Sequence, residues 1–237
     1  MTDQPQADTT SPVGAGGQLW LELPPISASA PRRLLVFLHA AGSSPDLLAP
    51  AAIAFQLKFP GATAAILHGL RDSAVGDERL DWFDPACEDR AAHADAAADA
   101  VALRVDALQR ASGVSPRDTT LIGFSQGASV ALEIARRHPE SASIVLAYAG
   151  RLMRPMRDGE RPSATIHLIH GEYDSIVPLA HAQAAYRGLV ASGADVSLDV
   201  AAGLAHGIDQ DMVNLGTWRL MRTLFRGRSR GSRATVH

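Results

Sequence analysis

The sequence predicts an α/β fold in which a mostly parallel, doubly wound sheet is covered by helices on both faces. Strand-like apolar segments alternate with helical segments from Leu34 to the end of the chain, an alternation typical of parallel sheets. Residues 34–38 are apolar at every position, as a central strand must be when helices cover both of its sides. At 237 residues, the chain is long enough for one large domain of this kind.

The chain divides into three segments. Residues 1–17 are rich in Thr, Gln, Pro and Gly, which favours a flexible N-terminal tail. Residues 18–225 form the predicted domain. Residues 226–237 carry four arginines among Gly and Ser, so we expect a basic, flexible C-terminal tail with a weak capacity to contact polyanions.

The domain begins with an edge strand and a central strand. Residues 19–23 are followed by two prolines, which suit the edge of a sheet. After the strand at 34–38, Pro45 opens a helix that reaches about Lys58. A short strand at residues 64–67 follows.

Residues 69–86 are predicted to form a long polar loop that contains Trp82 and Phe83. Long loops in compact domains are usually functional or disordered. Two interpretations stay open. The aromatic side chains are exposed and contact a ligand, or they fold back onto the core.

A long amphipathic helix is predicted at residues 88–111, with an apolar stripe on one face and aspartates on the other. We expect these aspartates to be solvated rather than to bind a metal. The later elements are strands at residues 144–148, 165–169 and 195–200, a helix at 179–191 and a last helix after Gly207.

Gly-x-Ser-x-Gly occurs at residues 123–127, between an apolar strand and an uninterrupted helix. This context is typical of a nucleophile elbow, where glycines permit a sharp turn and the serine stands at its apex. Ser125 would then lie at a helix N-terminus, which favours developing negative charge. The alternative is a glycine-rich turn whose serine only caps the helix.

A serine nucleophile needs a base, and histidine has the suitable pKa. Among nine histidines, His206 stands in a loop after the last strand, which fits the chain order Ser, Asp, His. Asp174 follows the strand at 165–169 and can orient the imidazole. We therefore predict Ser125, Asp174 and His206 as the catalytic residues.

The oxyanion of a tetrahedral intermediate needs preorganised donors. One candidate is the backbone N–H of Gln126, which follows the nucleophile. The other is the backbone N–H of Ala41, in the loop after the strand at 34–38.

Arginines recur at positions 151, 154, 157 and 161, in the segment before the strand at 165–169. Such a segment could recognise an anionic head group or phosphate. A charge run in a loop is more commonly just solvated, and we favour that interpretation here.

Composition and charge exclude several classes of function. A formal net charge of −3 argues against nucleic-acid binding through bulk charge. The lone Cys87 has no metal-ligand spacing around it and fits a reducing compartment. Residues 1–10 carry no secretory signal, and no stretch approaches 18 apolar residues. We expect a cytoplasmic protein without stable membrane insertion, without metal or organic cofactor, and either monomeric or homodimeric.

The chain resembles the carboxylesterase, phospholipase and acyl-protein thioesterase family of α/β-hydrolases, especially small bacterial esterases of the YpfH type. The resemblance spans about residues 34–224. It is carried by residues 121–128, 166–174, 179–182 and 204–209, together with the Trp82-Phe83 loop and the Leu38-His39 strand end.

The resemblance implies a single-domain α/β-hydrolase fold and the same catalytic residues and oxyanion donors. It further implies that Trp82, with Phe83, lies near the acyl pocket. The expected activity is hydrolysis of small-molecule carboxylic esters of short to medium acyl length. An acyl-protein thioesterase, a lysophospholipase or a catalytically weak binding protein of the same fold are the alternatives.

The sequence departs from the family at residues 39–43, where His-Ala-Ala-Gly-Ser replaces the usual His-Gly-x-Gly-Asp. If position 40 requires a positive φ, alanine there costs about 1 kcal/mol or more. The Ala41 donor would then be displaced.

Overall fold

The computed structural model describes residues 19–27 and 30–230. The predicted tail at 1–17 lies outside the described residues. Within the described part, the elements in chain order are β1 Leu19–Leu23, β2 Arg33–Leu38, α1 Ala49–Lys58, β3 Ala62–Leu67, β4 Arg71–Asp72, β5 Leu80–Asp81, α2 Arg90–Ser112, β6 Thr119–Phe124, α3 Gln126–Arg137, β7 Ile144–Tyr148, β8 Thr165–Gly171, α4 Leu179–Ala191, β9 Val196–Ala201 and α5 Gln210–Arg230.

Seven strands form one sheet in the order β1-β3-β2-β6-β7-β8-β9. β1 pairs antiparallel with β3, and the other pairings in this sheet are parallel. The mostly parallel, doubly wound sheet predicted from the sequence is confirmed.

Helices cover both faces of the sheet. Alternate residues of β2 show this arrangement: Leu34, Val36 and Leu38 pack in the cluster that contains α2, α3 and α4. Leu35 and Phe37 pack in the cluster that contains α1 and α5. Because β2 is buried on both faces, its sequence is apolar throughout rather than alternating.

The central strands β2 and β6 lie side by side, but the chain leaves them in opposite directions. From β2 it passes through α1 to β3, and from β6 it passes through α3 to β7. Loops that diverge in this way leave a crevice at the carboxyl ends of the strands, where ligands of such sheets bind. The segments after β2, β6 and β8 all emerge at this edge.

Two predicted segments differ from the structure. Residues 69–86 are not a simple loop, because β4 and β5 pair there as a short antiparallel ribbon. The predicted tail at 226–237 begins inside α5, which continues to Arg230. Residues 231–237 lie outside the described part of the chain.

Candidate active site

Ser125 stands in a sharp turn between β6 and α3. Its backbone has φ 54° and ψ −113°, a conformation that residues other than glycine rarely adopt. Its N–H donates to the carbonyl oxygen of Tyr148 on the neighbouring strand, at 2.9 Å. The surrounding structure therefore holds a strained residue in place, as is typical of functional sites.

Two glycines permit this turn because backbone segments nearly touch there. A Cβ atom on Gly123 would lie 2.4 Å from the carbonyl oxygen of Gly127. One on Gly127 would lie 2.2 Å from the carbonyl oxygen of Leu38. Larger residues at either position would push α3 away from β2 or β6, so the Gly-x-Ser-x-Gly pattern has a steric cause.

The structure brings Ser125, His206 and Asp174 into one hydrogen-bonded chain. His206 Nε2 lies 3.1 Å from Ser125 Oγ, and His206 Nδ1 lies 2.8 Å from Asp174 Oδ2. Since a carboxylate can only accept, Nδ1 carries the proton and Nε2 of the neutral ring is free to accept from the serine hydroxyl. The ring of Phe124 stacks on His206 with 5.1 Å between centroids, which limits the tilt of the imidazole.

The Asp174 carboxylate is fully buried and well supplied with donors. Its Oδ1 accepts from the backbone N–H groups of Ile176 and Val177, at 2.9 and 2.8 Å. Its Oδ2 faces His206. A buried carboxylate that accepts several hydrogen bonds keeps a fixed direction, so it can orient the imidazole.

His170 also reaches this carboxylate, a contact that sequence reasoning missed. Its Nε2 lies 2.6 Å from the carbonyl oxygen of Val177 and 3.2 Å from Asp174 Oδ2. The carbonyl oxygen can only accept, so this nitrogen carries a proton and can also donate to the carboxylate. The signal in the sequence was the four-residue spacing between His170 and Asp174, which does not by itself indicate contact outside a helix.

The loop after β2 supplies the second predicted oxyanion donor, Ala41. Ala40 does not have a positive φ; Gly42 does, at 59°. The strain that alanine at position 40 could have caused is therefore absent. The N–H of Gly42 donates to Asp81 Oδ1 at 2.6 Å, and Asp81 is buried. Asp81 thus anchors the residue after Ala41.

Gln126 begins α3, and its N–H is one of the first-turn groups that a helix leaves without an intrahelical partner. Its side chain is tied to the segment after β5. The Trp82 N–H donates to Gln126 Oε1, and Gln126 Nε2 donates to the Phe83 carbonyl oxygen, both at 2.8 Å. These two hydrogen bonds fix the start of α3 against the segment after β5.

Trp82 and Phe83 are not exposed, which corrects one of the two interpretations of their loop. Their relative exposures are 2% and 6%, and both belong to the core cluster under α2, α3 and α4. Trp82 Nε1 donates to the carbonyl oxygen of His39 at 2.7 Å. The two aromatic residues therefore pack inside the core and hold the loop after β2 and the Gln126 side chain in place. Their rings are not exposed to a ligand.

His39 lies beside the Trp82 ring, with 4.9 Å between ring centroids. Its Nδ1 donates to the carbonyl oxygen of Ala40 at 2.7 Å. Burial lowers the pKa of His39 below its ordinary value, which favours the neutral form of the ring beside the loop after β2.

Neither a metal-binding cluster nor a membrane-spanning helix occurs among the described residues. No group of three or more His, Cys, Asp or Glu side chains in that part of the chain could hold a metal ion. No helix there is long and apolar enough to cross a membrane.

Comparisons with known proteins agree on one family. The model of the phospholipase/carboxylesterase family matches residues 26–216. Esterase YpfH of Escherichia coli (strain K12) is 34% identical over 196 residues, covering 81% of this chain and 84% of that protein.

Solved structures show the same likeness. Esterase PE8 has a TM-score of 0.80 at 28% identity, over 87% of this chain and 99% of its own. SOBER1 of Arabidopsis thaliana, at 20% identity, has a TM-score of 0.71 over 81% of this chain and 99% of its own, a likeness of fold alone. The chain therefore belongs to the phospholipase/carboxylesterase family of α/β-hydrolases, as the resemblance in its sequence implied, and is a hydrolase of the carboxylesterase type.

Proposed function

We propose that this protein is a serine esterase that hydrolyses carboxylic esters through an acyl-enzyme intermediate. Ser125 is the nucleophile, His206 the general base and Asp174 the residue that orients His206. One observation carries the proposal: the hydrogen-bonded chain from Ser125 Oγ through the imidazole to the buried carboxylate, at 3.1 and 2.8 Å.

In the acylation step, Ser125 Oγ attacks the ester carbonyl while His206 Nε2 takes its proton. The resulting imidazolium is stabilised by Asp174. The negative charge on the former carbonyl oxygen is stabilised by the N–H groups of Ala41 and Gln126. When the tetrahedral intermediate collapses, His206 returns its proton to the leaving alcohol.

In the deacylation step, a water molecule takes the place of the alcohol. His206 removes a proton from this water as it attacks the acyl carbonyl, and the same two N–H groups stabilise the second oxyanion. Collapse breaks the bond to Ser125 Oγ, which recovers its proton from His206. The carboxylic acid leaves and the enzyme returns to its starting state.

Short to medium acyl chains suit this site best. Within the described residues no inserted domain covers the edge where Ser125 lies. Without such a domain, part of a long lipid chain would stay in contact with water, whereas a short chain needs little cover. A series of nitrophenyl esters from two to twelve carbons tests this preference, and a maximum of kcat/KM at twelve carbons would contradict it.

The experiment that tests the proposal is labelling with a fluorophosphonate probe, followed by mass spectrometry of the intact protein. The wild type should gain one stoichiometric adduct and Ser125→Ala none. Labelling of neither protein would favour a binding protein that kept the fold without the activity. Comparison of matched oxyester and thioester substrates then identifies whether the leaving group is an alcohol or a thiol.

A further inference from the structure

A groove of about 810 Å³ lies between the segment of residues 151–161 and helix α4. Five arginines and two carboxylates line it. The charged lining residues are Arg90, Arg151, Arg154, Arg157, Arg161, Asp158 and Glu160. We call this feature the arginine groove; the excess of guanidinium groups makes it a strongly positive surface.

The wall of the arginine groove is held in place by ionic contacts with α2 and α3. The Arg154 guanidinium pairs with Asp95 of α2. Arg136 of α3 binds Glu160 at 2.6 Å. These contacts correct the expectation that the charges of this segment and the aspartates of α2 are merely solvated.

Among the described residues, Arg154 is the one groove arginine that pairs with a carboxylate. Arg161 donates to the carbonyl oxygen of Gly193 at 3.1 Å, and Arg157 is exposed.

Within the described residues, neither Arg90 nor Arg151 forms an ion pair or side-chain hydrogen bond. Glu160 is engaged by Arg136, and Asp158 is exposed and pairs with neither arginine. Arg151 is partly buried, and burial together with the charge on Arg90 lowers its pKa. Two uncompensated positive charges that repel each other in one groove favour binding of an anion.

Two hydrogen bonds connect Arg151 of the arginine groove to the backbone of the elbow. The Arg151 N–H donates to Ser129 Oγ at 3.2 Å, and Ser129 Oγ donates to the carbonyl oxygen of Ser125 at 3.3 Å. Arg90 begins α2 and His181 lies in the first turn of α4. All of these residues belong to the carboxyl edge of the sheet, where the elbow lies.

The start of α4 adds to the positive potential of the groove. Its first turn contains no acidic residue, and no side chain caps it. The free N–H groups of a helix N-terminus favour negative charge. His181 in this turn lines the groove, although its own N–H donates to the carbonyl oxygen of Pro178 at 2.9 Å.

The groove also has apolar walls. Leu152, Met153 and Met156 line it and pack against the hydrophobic core. On α4, Ala185 and Gly188 are small residues that leave room beside them. This combination suits an aliphatic chain that ends in an anionic group.

We propose that the arginine groove is a subsite for an anionic oxygen group, a carboxylate or a phosphate, carried by the ester substrate, with Arg90 and Arg151 as its ligands. This inference rests on the proposed esterase function, since it assigns part of the substrate to the same site. The enzyme is then selective for esters whose acyl chain bears a negative charge at its far end.

The test compares 4-nitrophenyl monoesters of dicarboxylic acids, from six to ten carbons, with neutral nitrophenyl esters of equal chain length. The wild type should prefer the charged ester at one or more lengths. Arg90→Gln and Arg151→Gln should each lower the ratio of kcat/KM for the charged ester to that for the neutral ester by about tenfold, the effect of one charge-assisted hydrogen bond. The matched control is Arg187→Gln, an exposed arginine of α4 outside the groove, which should leave the ratio within about twofold of wild type.

A binding measurement separates this inference from the esterase proposal. Calorimetry with the Ser125→Ala protein should detect adipate, and the further change Arg151→Gln should weaken its binding about tenfold. The subsite alone would be overturned if both arginine variants hydrolyse the neutral ester and keep the wild-type ratio of kcat/KM for the charged ester to that for the neutral ester. If the wild type neither hydrolyses the esters nor reacts with the fluorophosphonate probe, the esterase proposal itself is overturned. Equal affinity for adipate and inorganic phosphate, without any preference for charged esters, would indicate a site for free anions and also overturn the subsite.

Discussion

The Nε2 atom of His170 lies 3.2 Å from Asp174 Oδ2, the same carboxylate oxygen that lies 2.8 Å from His206 Nδ1. Two imidazole rings therefore meet at one oxygen of a buried carboxylate, while the other oxygen is held by two backbone N–H groups. The carboxylate can neither rotate nor withdraw from His206 without breaking one of these contacts.

We expect His170→Leu to lower kcat about five- to tenfold with little change in KM, because one hydrogen bond that positions Asp174 is lost. His170→Gln should recover part of the rate, since its amide can still donate. Steady-state kinetics on a neutral nitrophenyl ester provide the measurement. If the glutamine variant were as slow as the leucine variant, the ring would serve packing rather than positioning.

His206→Ala should lower turnover at least about 10³-fold while the protein stays folded, because Ser125 loses its base. The control is His93→Ala, at an exposed position of α2, which should retain wild-type rates. Circular dichroism shows whether both variants keep their secondary structure. Retention of activity by folded His206→Ala would identify a different residue as the base.

Asp81→Ala should lower kcat about tenfold or more, because the N–H of Gly42 loses its acceptor and the adjacent Ala41 donor is no longer held toward the oxyanion. Asp81→Asn should lose less, since the amide oxygen still accepts. The rate of fluorophosphonate labelling should fall as well, and this rate does not include a product-release step. The exposed Asp72 of β4 provides the control Asp72→Ala, and equal losses in the two alanine variants would contradict a role for Asp81 in the loop.

The free energy of unfolding should decrease as the pH is lowered, because His167 is protonated more easily in the unfolded chain. Burial, and next the charge on Arg219, lower the pKa of His167 to about 4. An unfolded histidine binds its proton near pH 6.5, so between about pH 6.5 and 4 the unfolded chain binds more protons and the free energy of unfolding falls. The contribution is complete above this range and declines by about 1.4 kcal/mol per pH unit within it.

Urea denaturation of the wild type and His167→Gln across this range isolates the effect, because other titrating groups cancel in the difference. The wild-type free energy of unfolding should drop relative to that of the variant by an amount on the order of 3 kcal/mol between pH 7 and 4. The two ring nitrogens of His167 lie 2.7 Å from Ser197 Oγ and 2.9 Å from Thr223 Oγ1. Parallel curves for the two proteins would show that this ring accepts a proton without such a penalty.

The fold and the central residues of the site could be predicted because local sequence carries them. Strands that are buried on both faces must be apolar throughout, as residues 34–38 are. The elbow requires glycines on each side of Ser125, for the steric reason that the structure shows. The order Ser, Asp, His along the chain then restricted the choice to histidines that follow Asp174 in the sequence.

Contacts between distant segments could not be predicted. The burial of Trp82 depends on hydrogen bonds to His39 and Gln126, which are 43 and 44 residues away in the chain. The contact of His170 with Asp174 depends on the turn that brings the Val177 carbonyl oxygen back to the ring. In the loop after β2, sequence alone could not tell whether position 40 or 42 takes the positive φ.

The ionic contacts of residues 151–161 have a consequence for how a substrate enters. Arg154 is bound to α2, Glu160 is bound to α3, and the N–H of Met153 donates to the buried Glu133 carboxylate at 3.0 Å. A segment fastened at three points does not act as a gate. Under the proposed function, an ester meets an entrance whose width on this side is already fixed, so its entry depends on its shape and charge rather than on a conformational change of this segment.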